Sequence, residues 1–112
     1  MTAITDEYMQ QMIARTKEYS LVILKAGKNR QMAGADTIIR EHGRRNFALR
    51  AEGVLSIVCP VRDGRDVSGI GIFNAKTDRA REIMDEDPAV IAGIFTYEVH
   101  PCRSFPGDCL PD

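Results

Sequence analysis

The chain has 112 residues and a formal net charge of −1, with 15 lysines and arginines against 16 aspartates and glutamates. That length suits one domain, and the balanced charge offers no basic face for nucleic acid. No apolar run approaches the ~20 residues of a membrane span, and Met1 to Glu7 lack a signal-peptide core, so a cytoplasmic location with three reduced thiols is expected.

Thr5 to Thr16 reads as a helix, with Tyr8, Met9, Met12 and Ile13 at helical spacing and Asp6 and Glu7 in its first turn. Tyr19 to Lys25 reads as a strand with two apolar faces, Leu21 and Ile23 on one and Val22 and Leu24 on the other. A strand of that kind is usually covered on both sides. Ala26 to Ala35 has two glycines and an asparagine and reads as a loop.

Asp36 to Glu52 reads as the second helix. Ile38, Ile39, His42, Asn46, Leu49 and Ala51 include its inward stripe, while Arg40, Glu41, Arg44 and Arg45 look outward. Glu41 and Arg45 are spaced for an i,i+4 pair. Gly43 inside this helix costs about 1 kcal/mol against alanine, so it is either tolerated or gives room for close approach.

Val54 to Val61 and Val67 to Ala75 read as a hairpin turned at Asp63-Gly64. Gly69 and Gly71 weaken its second strand. Thr77 is the candidate N-cap of a helix that runs to Asp85. Asp87 then caps a short new helix with Pro88 at its first position, where no N–H is needed. Phe95, Tyr97 and Val99 alternate with polar residues as a final strand. Pro101 to Asp112 reads as an irregular tail.

The order is one added helix, then β-α-β-β-α-β. Right-handed crossovers select an α+β ferredoxin-like fold: a four-stranded antiparallel sheet in order 4-1-3-2, with helices on one face. The expected division of this single domain is an added N-terminal helix over 1–16, a core over 17–101 and a tail over 102–112. The helices cover one face of the first strand; a second copy of the sheet is the expected cover for the other. The topology brings the start of the second helix, the Asp63-Gly64 turn and Asp87 to one rim. His42, two turns into its helix, lies near that rim.

Several blocks carry a family resemblance. They are His42-x-x-x-x-Phe47 with Ala51-Glu52-Gly53-Val54-Leu55, Pro60, Gly69-Ile70-Gly71, Ala80-Arg81-Glu82-Ile83, and Asp87-Pro88-Ala89-Val90-Ile91-Ala92-Gly93-Ile94-Phe95-Thr96-Tyr97-Glu98-Val99. In order and spacing they resemble the YCII-related domain family over roughly residues 19–102. The resemblance implies a homodimeric α/β barrel of two ferredoxin-like halves. It implies an active site with a histidine–aspartate pair, here His42 and Asp87. Wider relatives include muconolactone isomerase-like and dehydrochlorinase-like enzymes acting on small, often aromatic-derived, acids. Two positions depart from the family pattern: Cys59 replaces a glycine before Pro60, and Ile39 replaces an arginine.

Two functional readings follow. One is an enzyme of isomerase or lyase type, with no cofactor and no metal, in which His42 is the acid/base and Asp87 orients it. Pro60, Pro88 and Phe95 are its candidate substrate contacts. The other is a non-catalytic dimeric domain that binds a small molecule or serves as an accessory. A pocket at a hydrogen-bonded His42–Asp87 pair favours the first; a filled pocket favours the second. Asp87 also has a purely structural role open to it as a helix cap. His100, Cys102 and Cys109 are spaced too irregularly for a recognisable metal site. Cys59 reads as a nucleophile or as a small buried thiol.

Overall fold

The computed structural model describes residues 1–112. Its elements are α1 (Asp6–Ala14), β1 (Lys17–Ala26), α2 (Ala35–Ala51), β2 (Leu55–Pro60), β3 (Val67–Phe73), α3 (Thr77–Asp85), α4 (Pro88–Ile91) and β4 (Phe95–Ser104). The four strands form one antiparallel sheet in the order β2-β3-β1-β4. Read from the other edge this is 4-1-3-2, the ferredoxin-like order. None of the helices is long and apolar enough to cross a membrane.

The sheet is built by alternation. Ser20, Val22 and Leu24 of β1 are buried, with Phe73 of β3 and Leu55 of β2 on the same side. Helix α2 packs on β2, and α3 packs on β1 and β4. Ala80, Ile83 and Met84, at i, i+3 and i+4 of α3, close the core from the helix side. The Tyr97 hydroxyl of β4 donates to the Asp85 carboxylate at the end of α3. Burial, and then that carboxylate, push the phenol up to about 12, so it stays a donor.

The other sheet face carries Leu21, Ile23, Ile57, Ile70 and Ile72, half-buried or exposed. Helix α1 buries none of its residues. Tyr8, Met9 and Ile13 are about half exposed, so their stripe faces solvent rather than this sheet.

Two local expectations are corrected. Lys76, not Thr77, precedes the first turn of α3, and it makes no side-chain cap. The last strand does not stop at Pro101: β4 continues to Ser104, and its ladder to β1 ends at Lys17↔Ser104. A proline is tolerated there because β4 is an edge strand, where a missing N–H need leave no partner unpaired. Arg103 fixes this extension by donating to the Thr16 side-chain and backbone oxygens at 3.1 and 3.0 Å.

Candidate functional site

Met84 and Asp85 end α3, and the chain turns at Asp87 before α4 starts. Asp87 is extended, with φ −69° and ψ 129°, and its Oδ1 accepts the N–H groups of Ala89 and Val90 at 2.9 and 3.3 Å. The capping role read from the sequence is therefore met by one oxygen. The other, Oδ2, is free to do something else, and it lies 2.7 Å from His42 Nδ1 on α2. Asp87 is fully buried and His42 is 8% exposed. Residues 45 apart in sequence thus meet where α2 and α4 pack.

Electrostatics decides the proton's position. Burial pushes the Asp87 carboxyl up. The hydrogen bond and charge of His42 and the two N–H donors outweigh it and hold the carboxyl below the usual range. An ionised Oδ2 only accepts, so Nδ1 carries a proton. In the neutral ring the lone pair is then on Nε2. The Asn46 amide, one turn further along α2, donates to it at 3.2 Å. The Phe95 ring packs against the imidazole, centroid to centroid 5.2 Å, and limits its rotation.

Arg45 completes the group. Its guanidinium NH1 lies 3.6 Å from Asp87 Oδ2, and NH2 lies 3.9 Å from Glu86. This corrects the outward reading of Arg45 and its pairing with Glu41. Glu41 instead pairs with Arg44 at 3.4 Å. The missed signal was spacing: 42, 45, 46 and 49 follow one another at i+3, i+4 and i+7, on one helix face.

A second missed contribution comes from the loop after β1. Gly27 N–H donates to Ile94 O at 2.7 Å, and Asn29 N–H to Gly93 O at 2.9 Å. The Asn29 side-chain amide donates to Ala92 O at 2.8 Å. The loop is a clamp on the α4–β4 junction. That clamp positions the short helix whose cap is Asp87.

His42 and Asn46 open onto a cavity of about 290 Å³ between α2 and the sheet. Its walls are mainly apolar, including Val22, Leu24, Leu55, Phe73 and Phe95. Gly43 and Gly69 also line it. A Cβ on Gly43 would meet nothing within 4 Å, so this glycine faces open space and borders the cavity. Of the predicted contacts, Pro60 and Phe95 line the cavity and Pro88 does not. Pro88 occupies the first position of α4, where its ring serves the helix start. Cys59 is also in the lining, an exposed free thiol. His100, Cys102 and Cys109 do not gather: the chain has no group of three His, Cys, Asp or Glu side chains placed to hold a metal ion.

No protein-family model matches the chain, and no curated protein matches it in sequence. Among solved structures it is similar to 5-chloro-2-hydroxyhydroquinone dehydrochlorinase from Burkholderia phenoliruptrix, solved in complex with 2,5-dihydroxybenzoquinone. The TM-score is 0.50 at 18% sequence identity, covering 73% of this chain and 90% of that one. At that identity the likeness shows the fold alone.

Proposed function

We propose that this chain is a YCII-like domain whose His42 moves a proton on a small molecule. Asp87 is its orienting partner, and Pro60 and Phe95 are substrate walls. The observation that carries the reading is the buried 2.7 Å His42–Asp87 hydrogen bond beside an apolar cavity. It fixes the ring with its lone pair on Nε2, where a substrate proton would take the place of the Asn46 amide. A positioned general base of this kind contributes on the order of 10²–10⁴-fold in rate. The fold shared with a dehydrochlorinase is compatible with elimination chemistry.

The base is tested with 5-nitrobenzisoxazole, a neutral probe of proton abstraction. Its ring C–H proton passes to Nε2, the C–H electron pair forms the nitrile, and the N–O bond breaks to release a phenolate. Turnover above buffer is expected, falling by at least ~100-fold in His42→Ala. Equal rates in the parent and the variant contradict the assignment.

One observation favours the binding-domain reading: the Asn46 amide satisfies Nε2, leaving His42 with both nitrogens hydrogen-bonded. That reading predicts ligand binding without probe turnover.

We further propose a homodimer through the open sheet face of Leu21, Ile23, Ile57, Ile70 and Ile72. Such a contiguous apolar surface is characteristic of an interface. Standard interfaces bury about 1,600 Å² in total. Light scattering should report twice the 12.5 kDa chain mass; a monomer at micromolar concentration contradicts this.

A further inference from the structure

The charge of the cavity lining selects its ligand. No Arg, Lys, Asp or Glu lines the cavity. Its side-chain polar groups are His42, Asn46, Ser68 and Cys59. Two cations lie close to lining residues without being part of the lining. Arg30 stands 5.9 Å over the Phe95 ring, in a separate hollow beside the start of α2. Arg45 is held against Asp87. Ile39, where a long basic side chain would reach the cavity, adds another apolar surface.

We propose that the cavity takes an uncharged, largely apolar small molecule that presents one N–H, O–H or acidic C–H to His42 Nε2, and that it rejects carboxylates. The inference rests on His42 as proton acceptor, and departs from the small acids that the family resemblance implies. A carboxylate entering this space would lose its hydration and meet no guanidinium, the usual bidentate partner. It would also bring an acceptor, not a donor, to the Nε2 lone pair. An uncharged ligand loses far less on desolvation, and its apolar body gains from walls such as Val22, Leu55 and Phe73. The volume, at the low end for ligand pockets, limits the ligand to a small ring or short chain.

Benzamide and benzoate have the same planar shape and differ in charge and in the N–H donor. Each is titrated into the ¹⁵N-labelled full chain at neutral pH. Benzamide should shift the amides of Gly69, Gly71 and Phe95 and bind at least ~tenfold more tightly than benzoate. Ile39→Arg should reverse that order by supplying the missing guanidinium. Phe47→Arg, at a cavity-lining position that is 66% exposed, provides the same charge without risk to the core and should shift the order in the same direction. Benzoate binding as tightly as benzamide in the parent, with shifts at the same amides, overturns the neutral-ligand proposal and leaves the pocket reading intact. Absence of shifts at these amides with either compound overturns both.

Discussion

Asp87→Ala should destabilise the fold by about 3–5 kcal/mol in urea unfolding, the range for removing one partner of a buried charged pair. Three dependants lose the carboxylate together. The N–H groups of Ala89 and Val90 lose their cap, His42 Nδ1–H is left buried without a partner, and Arg45 keeps only its 3.9 Å contact with the exposed Glu86. Arg45 NH1 is already buried without a hydrogen bond, so Asp87 is its only electrostatic relief at that end. Asp87→Asn retains a capping oxygen and should cost about 1–2 kcal/mol. The acid limb separates the variants further. The folded carboxyl titrates below the ordinary range, and the unfolded one at about 3.9. Its contribution is therefore complete above the unfolded value and is lost as pH falls through the folded one. Unfolding followed from neutral pH to acid should show a shallower loss in Asp87→Asn than in the parent. A loss under ~1 kcal/mol in Asp87→Ala would mean that the cap, the imidazole and the guanidinium do not share this carboxylate.

Gly27→Ala should cost about 2–3 kcal/mol or more, as overpacking against fixed backbone does. A Cβ there would lie 2.3 Å from the Gly93 carbonyl oxygen and 3.1 Å from the Ile94 carbonyl carbon. Neither is the end of a flexible side chain. Gly93 follows α4 with φ +75°, a conformation that glycine adopts without strain. The strand and the turn must separate, loosening the bonds from Gly27 and Asn29 to residues 92–94. Because α4 carries Asp87 at its start, the same variant should reduce turnover of the benzisoxazole probe. A melting temperature equal to the parent's would show that the junction tolerates the wedge.

Periodicity made much of this architecture legible. The apolar run with Leu21 and Ile23 on one face and Val22 and Leu24 on the other marked β1, and handedness then settled the sheet order. Asp87-Pro88 marked a helix start, and the cap is there. The pairing of His42 with Asp87 came from the family resemblance, because no local pattern relates residues so far apart in sequence. Arg45 was missed because arginine on a helix is by default a solvated residue, and only the packed structure shows a buried carboxylate within its reach. The extent of β4 was missed because proline reads as a strand terminator, whereas an edge strand accepts it. Exposure of α1 was beyond the sequence too. Its stripe of Tyr8, Met9, Met12 and Ile13 describes an amphipathic helix without saying where that face lies.

Proton acceptance by His42 requires an unprotonated Nε2, so the tautomer of the ring is the most direct measurement. Long-range ¹H–¹⁵N correlation of the imidazole, taken at a pH where the ring is neutral, distinguishes the two nitrogens. A proton on Nδ1 and a bare Nε2 is the predicted result, since Asp87 Oδ2 stands 2.7 Å from Nδ1 and accepts. In Asp87→Ala that preference should weaken, because only the Asn46 amide then favours a bare Nε2. A parent protein whose neutral His42 holds its proton on Nε2 would contradict the account, because that ring has no base to offer the cavity.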